Sequence, residues 1–175
     1  MEYWMAVSHP LKRGSCVGRT RGGLTTKREL LVDRNGTPLV CTFARGQAHE
    51  LTLAIDVLQR VSIAGHRGRP RKRLGKLLGD RTYVSKAFNK TLKNGGTVPC
   101  IPRKAVWGTK KGLPRHSGPR GYHMRYVIER TFAWLNKFRR VAVRYDHSID
   151  AYAAFVTLAM IRIVLRKFNN HRRNF

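Results

Sequence analysis

The sequence predicts an α/β domain, and the order of its elements carries this prediction. Two β-rich runs flank an Asn-Gly dipeptide at 35–36, which is the strongest short-range signal for an antiparallel hairpin. After the hairpin, helical and strand patterns alternate, and this order implies parallel strands joined by crossover helices. Further helical patterns complete the chain, and no internal repeat is evident.

The first part of the chain contains the predicted hairpin and one helix. Residues 24–32 (LTTKRELLV) predict a strand, 33–36 a turn, and 38–43 (PLVCTF) the second strand. Residues 50–61 predict a helix, because four apolar side chains recur on one face: Leu51, Ala54, Ile55 and Leu58. Residues 1–23 are hard to place, and 17–23 (VGRTRGG) have the composition of a loop.

The middle of the chain predicts a strand, a helix and a second strand. Residues 74–78 are short and apolar, so we expect a buried strand that ends just before Asp80. Residues 84–93 predict a helix that the following Asn-Gly-Gly closes. Residues 97–101 predict the next strand, and Pro99 places it at a sheet edge or a bulge.

The last part of the chain predicts two helices separated by an extended segment. Residues 120–140 predict one helix, with an apolar stripe formed by Ile128, Phe132, Leu135 and Phe138. Residues 139–145 predict extended backbone. Residues 149–168 predict a strongly apolar helix that ends in a basic tail.

The charge balance predicts a polyanionic partner. The chain has 36 Lys and Arg against nine Asp and Glu, a net charge of +27 and a pI near 11.5. Such a domain repels itself unless polyanions screen it, which favours nucleic acid. A ribosomal-type structural protein and a binder of anionic membranes are the alternatives. The apolar run 151–165 contains Arg162 and is shorter than the ~20 residues of a membrane span, so we expect a soluble protein.

A basic segment at 65–76 is the first candidate for contact with phosphates. It carries six positive charges and no acid, and its glycines and proline prevent a regular element. A solvated charge run is the alternative to phosphate contact. The residues that we expect to contact DNA there are Arg69, Arg71, Lys72 and Arg73.

Two carboxylates are candidates for a metal site. Asp80 follows a predicted buried strand, where α/β sheets place their working residues. Glu129 lies on the predicted 120–140 helix among basic residues and shares a face with Arg125. Together they could hold Mg²⁺, which prefers oxygen ligands. Alternatively, Asp80 caps the next helix and Glu129 pairs with Arg125.

Several motifs in order resemble the catalytic region of bacterial insertion-sequence DDE transposases. The resemblance extends over about 18–165 and is carried by GRTRGGLTTK, LVDRNGTPL, GQAHE, RGRPRKR, GDRTY, VPCIPRK, VIERTFAWLNKFRR and RYDHSIDAYAAFVTLAMI. It implies an RNase H-like mixed sheet flanked by helices. It also implies metal-dependent phosphodiester hydrolysis and strand transfer on double-stranded DNA, at the ends of an element and at its target.

The resemblance assigns roles to individual residues. Asp80 corresponds to the second catalytic acid and Glu129 to the third, both as ligands of Mg²⁺ or Mn²⁺. The signature Tyr-x2-Arg-x3-Glu falls on Tyr122, Arg125 and Glu129. Its downstream basic residue appears one place late as Lys137, with Asn136 at the expected position. The expected DNA contacts in this part of the chain are Tyr122, Arg125, Lys137, Arg139 and Arg140.

The chain also departs from the family pattern at the first catalytic aspartate. The only acid before Glu29 is Glu2, so we expect the first, central strand of the sheet to be missing and the reading frame to start late. Residues 1–7 are an imperfect candidate for that strand. Asp33 is a poor substitute because it lies in the turn, and His49 and Glu50 are expected to serve local structure.

These departures predict an impaired enzyme. Alone, the chain is expected to bind DNA with little or no catalysis, and a nonenzymatic DNA-binding remnant or an inhibitor of a full-length transposase is the alternative. The predicted divisions are a poorly defined segment 1–23, a partial catalytic domain 24–168 and a basic tail 169–175. We expect a protein of the bacterial cytoplasm, associated with the nucleoid, that could form a homodimer.

Overall fold

One mixed sheet organises the part of the chain that can be described. The computed structural model describes residues 2–10, 14–21, 23–65, 68–101 and 125–172. Within them, six strands form one sheet. They are β1 (Glu2–Pro10), β2 (Gly18–Thr20), β3 (Gly23–Val32), β4 (Pro38–Arg45), β5 (Lys76–Leu78) and β6 (Val98–Cys100). The strand order is β2-β3-β1-β5-β6, and β4 also pairs with β3.

Strand β1 lies between the antiparallel and the parallel part of this sheet. It pairs antiparallel with β3 and parallel with β5, and β5 pairs parallel with β6. The expectation that the central strand is missing is therefore wrong. It rested on the absence of an acid from this segment, whereas strands pair through backbone N–H and C=O groups that every non-proline residue carries. Among the described strands, β6 with Pro99 lies at the edge of the sheet, as predicted.

The predicted hairpin is confirmed. Strands β3 and β4 are antiparallel, and the turn between them is closed by the Asp33 side chain. Asp33 Oδ1 accepts hydrogen bonds from the backbone N–H groups of Asn35 (2.8 Å) and Thr37 (2.7 Å). Gly36 completes the turn with a φ of 77°, a conformation that favours glycine. This side chain therefore shapes the turn.

Five α-helices accompany the sheet in the described residues. They are α1 (Glu50–Arg60), α2 (Lys86–Asn94), α3 (Tyr126–Leu135), α4 (Arg139–Ala142) and α5 (Ile149–Arg172). The prediction of one helix reaching Arg140 is wrong, because α3 ends at Leu135 and Phe138 is extended. The prediction of extended backbone from Arg139 is also wrong, since α4 begins there. Residues 120–124 lie outside the described range.

The sheet has a core on each face, because successive side chains of a strand point to opposite faces. Leu30 and Leu78 face a cluster with Ile128 and Phe132 of α3 and Val156 of α5. The opposite cluster contains residues of α1 and α2, with Leu31, Leu77, Ala54, Val57, Phe88 and Leu92. Helix α3 thus packs on the face of β1 and β3 that bears Leu30.

Two buried arginines connect β3 to the segment that joins α3 with α5. Arg28, fully buried, donates hydrogen bonds to Asn136 Oδ1 (3.0 Å) and to the Val141 carbonyl (3.4 Å). Arg144, also buried, donates to Thr26 Oγ1 (2.6 Å) and to the His147 carbonyl (2.9 Å). A buried cation is costly unless it is hydrogen-bonded, so these contacts fix the position of α3 and α5 on the sheet.

Candidate active site

Asp80 lies at the carboxyl end of β5, as the sequence predicts. It begins a short 3₁₀ turn, Arg81–Tyr83, and its Oδ1 accepts a hydrogen bond from the Arg81 N–H at 2.6 Å. Its side chain is 39% exposed, so the carboxylate is open to solvent. One carboxylate oxygen thus caps the turn while the group as a whole stays accessible. Capping and metal binding are compatible here, because a carboxylate has two oxygens.

Arg125 joins Asp80 to the beginning of α3. Its Nη2 lies 3.6 Å from Asp80 Oδ2, and the residue is the N-cap of α3. Glu129 follows one turn later, with its backbone N–H donating to the Arg125 carbonyl at 3.4 Å, and its side chain is exposed. Residues four apart lie on the same face of a helix. The helix turn that bears Glu129 therefore begins at the residue that contacts Asp80.

These two carboxylates fit a divalent cation only in part. Both offer hard oxygen ligands at the surface, as Mg²⁺ or Mn²⁺ requires. Among the described residues, however, no three His, Cys, Asp or Glu side chains come together as a metal site. Two carboxylates with water can hold one weakly bound cation, but they do not supply the ligands that anchor a pair of cations.

The basic residues predicted to contact DNA differ in their surroundings. Lys137 and Arg139 are exposed, and Tyr122 lies outside the described residues. Arg140 is also exposed, yet its Nη1 lies 3.4 Å from Asp146 Oδ1 and its guanidinium covers the Phe155 ring at 4.6 Å. Lys137 is therefore freer to meet a phosphate than Arg140, which already has an acidic neighbour.

Asn136 has a structural contact that the sequence did not predict. It stands where the family signature has its basic residue, and its Oδ1 accepts the hydrogen bond from buried Arg28. A lysine at this position could not accept a hydrogen bond. In this chain, position 136 therefore accepts the hydrogen bond of Arg28, and the basic residue stands at position 137.

The basic segment after α1 is exposed where it is described. Arg69, Arg71, Lys72 and Arg73 all have exposed side chains. The backbones of Ile63 and Arg71 form an isolated antiparallel bridge, with N–O distances of 2.9 and 2.8 Å. This bridge gives the segment a defined base, from which the charged side chains extend into solvent.

His49 and Glu50 serve local structure, as predicted. His49 Nδ1 accepts a hydrogen bond from the Leu51 N–H at 3.2 Å and so caps α1. Glu50 Oε1 lies 3.6 Å from Lys27 Nζ, which also donates to the Ala48 carbonyl. Glu29 is fully buried. Burial raises the pKa of the Tyr83 phenol, and the charge and hydrogen bond of Glu29 raise that pKa further. Through Tyr83, which lies in the turn that Asp80 caps, Glu29 is thus close to the end of β5 but is buried.

Comparison with known proteins identifies the family. Residues 5–164 match the transposase DDE domain. The chain belongs to this family of bacterial insertion-sequence DDE transposases. It is also 30% identical over 141 residues to the protein named as transposase for insertion sequence element IS402 in Burkholderia cepacia. That alignment covers 80% of this chain and 62% of the relative, so the chain spans less than two thirds of the relative's length.

One solved structure gives a weaker match to this DDE transposase chain. A chain of the cryo-EM structure of the simian T-cell lymphotropic virus intasome, in complex with the PP2A regulatory subunit B56 gamma, is similar with a TM-score of 0.49. The two are 14% identical, and the match covers 90% of this chain and 46% of that chain. In the described part of the DDE transposase chain, no helix is both long and apolar enough to cross a membrane.

Proposed function

We propose that this member of the DDE transposase family acts on DNA, as the catalytic region of a transposase that is impaired when it acts alone. The observation that carries the proposal is the contact between Arg125 and Asp80, at 3.6 Å, which brings the turn with Glu129 to the carboxyl end of β5. Family membership supports the reaction class, metal-dependent phosphodiester hydrolysis and strand transfer.

The sheet supports an RNase H-like assignment of the fold. Three antiparallel strands, β4, β3 and β1, continue into the parallel strands β5 and β6. Helix α3 covers the face that bears Leu30 and Leu78. In such a sheet, ligand-binding and active sites lie at the carboxyl ends of the parallel strands, and Asp80 lies at one of these ends. The division into segments 1–23, 24–168 and 169–175 stays a prediction.

The proposed chemistry depends on two solvent-accessible carboxylates, those of Asp80 and Glu129. Asp80 and Glu129 would hold Mg²⁺ or Mn²⁺, whose charge activates an attacking oxygen and stabilises the leaving oxygen of a phosphodiester. Arg125, one helical turn from Glu129, can neutralise a phosphate beside them. Asp80 and Glu129 face solvent, so duplex DNA can approach them without opening the core.

Double-stranded DNA is the proposed partner because the exposed charges are basic. The segment with Arg69, Arg71, Lys72 and Arg73 and the residues Lys137 and Arg139 are exposed and carry no described acidic partner. Contacts from such side chains to phosphates supply affinity without reading sequence. We also propose that the protein acts in the bacterial cytoplasm, on the DNA of the nucleoid.

Impairment follows from the ligand count at this edge. The described residues bring no third acid to Asp80 and Glu129. One weakly bound cation cannot both activate the attacking oxygen and stabilise the leaving oxygen of the phosphodiester. The alternative, a nonenzymatic DNA-binding remnant or an inhibitor of a full-length transposase, rests on the same observation.

A homodimer is a further proposal, for which α5 offers exposed apolar residues at helical spacing: Leu158, Ile161, Leu165 and Phe168. Sedimentation of the protein at rising concentration tests it.

A nicking assay on supercoiled DNA with Mg²⁺ or Mn²⁺ tests the proposed function. We expect weak nicking by the unaltered protein that Glu129→Gln abolishes, while salt-sensitive DNA binding stays within about twofold, since the substitution removes one ligand and no phosphate contact. Robust turnover would contradict the impairment. Absence of nicking with DNA binding intact would support the remnant, and nicking that persists in Glu129→Gln would contradict the role of Glu129 as a metal ligand. Parallel loss of nicking and binding would indicate a structural Glu129.

A further inference from the structure

The register of β1 against β5 determines which residue lies beside Asp80. The two strands are parallel, with Glu2 opposite Leu77 and Tyr3 opposite Leu78. Continuing this register by two residues places Met5 next to Asp80, where β1 runs on beyond the end of β5. Neighbouring strands lie ≈ 4.7–4.9 Å apart, so the two positions are adjacent across the sheet.

Met5 lies on the same face of the sheet as α3. It pairs with Leu30 of β3, and both side chains belong to the cluster that contains Val127, Ile128 and Phe132 of α3. Leu78, the end of β5, belongs to the same cluster. Position 5 therefore lies under the helix that bears Glu129 and beside the strand end that leads to Asp80.

A methionine at this position changes the chemistry of the site. Its thioether is a soft, uncharged ligand, whereas Mg²⁺ and Mn²⁺ prefer carboxylate oxygens. The positive charge next to Asp80 is instead the Arg125 guanidinium, at 3.6 Å. The described residues thus place the strand, the neighbouring carboxylate and the helix together, and position 5 offers no oxygen ligand.

We propose that Met5 occupies the position of the missing third ligand, and that Met5→Asp alone converts the two-carboxylate site into a three-carboxylate site. The strand is not absent, and the defect is one side chain. This inference rests on the proposed function, since it takes Asp80 and Glu129 as the other two ligands. It adds which residue weakens the site and which substitution repairs it.

Titration with Mn²⁺, followed by the electron paramagnetic resonance of the free ion, tests the inference without any assay of activity. Because affinity rises with the number of charged oxygen ligands, we expect Met5→Asp to bind Mn²⁺ at least about tenfold more tightly than the unaltered protein. Met5→Leu, a matched apolar control, should stay within about twofold. Adding Asp80→Asn to Met5→Asp should remove the gain.

A second variant covers the case in which an aspartate at this half-buried position prevents folding. Met5→Cys stays apolar during folding, and a cysteine beside Asp80 should bind Cd²⁺ with the ultraviolet charge-transfer band of a thiolate–cadmium bond. Asp80→Asn should weaken that band's titration. A folded Met5→Asp variant with the affinity of Met5→Leu would overturn the inference, as would a Cd²⁺ affinity of Met5→Cys that is insensitive to position 80.

The same titration separates failure of this inference from failure of the proposed function. If Asp80→Asn and Glu129→Gln both leave Mn²⁺ binding by the otherwise unaltered protein unchanged, the proposed metal site is wrong. If they weaken it and Met5→Asp still gains nothing, only the role given to position 5 is wrong.

Discussion

The Arg125 guanidinium lies 3.6 Å from the Asp80 carboxylate, Nη2 to Oδ2, and this contact joins the beginning of α3 to the end of β5. It places a positive charge beside Asp80, which we propose as a metal ligand. Both side chains are partly open to solvent, at 28% and 39% exposed. The pair is therefore accessible and exchangeable, and a DNA phosphate can draw the arginine away from the aspartate.

Arg125→Gln tests the competition between arginine and metal for Asp80. Because exposed ion pairs contribute little, we expect the free energy of unfolding in urea to change by less than about 1 kcal/mol. The affinity for Mn²⁺ without DNA should rise by at least about tenfold, since a unit positive charge roughly 4 Å from a divalent cation costs about 2 kcal/mol in water. Arg60→Gln, which breaks the Arg60–Asp56 pair of α1, is the control and should leave Mn²⁺ binding unchanged.

The contact of the β3–β4 turn with α3 predicts the effect of Gly36→Ala. Its φ of 77° disfavours alanine, and a Cβ there would lie 2.8 Å from Thr131 Oγ1, whose hydroxyl donates to the Gly36 carbonyl. We expect a loss of about 2–3 kcal/mol in the free energy of unfolding. Gly23 has a φ of 100° and open space around it, so Gly23→Ala measures the backbone strain alone. Equal losses of unfolding free energy at both positions would show that the added Cβ at position 36 causes no steric conflict with α3.

From the burial of Arg28 we predict that the free energy of unfolding depends on how well the side chain at position 28 fills its space. Arg28→Ala removes the hydrogen bonds to Asn136 and Val141 and the packing over the Phe132 ring, 5.3 Å away. We expect it to cost about 3 kcal/mol in the free energy of unfolding, measured in urea. Arg28→Met fills more of the space and should cost less, because a buried cation itself is expensive to desolvate. A methionine variant as unstable as the alanine variant would show that the charge, and not the packing, matters.

The exposed basic segment predicts a change in the salt dependence of DNA binding. Replacing Arg69, Arg71 and Lys72 by Gln should weaken binding and reduce the slope of log K against log salt by up to about 0.9 for each phosphate that the variant no longer neutralises. The melting temperature should hardly change, because these side chains are exposed. The triple variant of Lys86, Lys90 and Lys93 on α2 removes the same charge from another exposed surface. An equal effect of the two triple variants would mean that only net charge counts.

Local patterns predicted the hairpin, the two short strands and most helices. The Asn-Gly turn, the helix caps and the apolar periodicities are properties of neighbouring residues, and the structure follows them at Gly36 and from Glu50 to Arg60. The position of Asp80 at a strand end was predicted for the same reason. Whether Asp80 and Glu129 act together as ligands stays a prediction.

Long-range pairing could not be predicted from the same patterns. Strand β1 carries no acid beyond Glu2. Its place between β3 and β5 depends on hydrogen bonds of backbone groups, which the pattern of side chains does not predict. The end of α3 at Leu135 depends likewise on Arg28, 108 residues before Asn136, which holds the turn after the helix. A basic residue on the inner face of a strand breaks the expected alternation, and this break was the available hint.

The joint action of Asp80 and Glu129 on one cation is tested most directly by a double-mutant cycle of Mn²⁺ affinity. We predict that Asp80→Asn and Glu129→Gln each weaken Mn²⁺ binding by about tenfold, and that the double variant loses little more than either single variant, because ligands of one ion are not additive. Losses that add independently, or no loss from either substitution, would contradict the account.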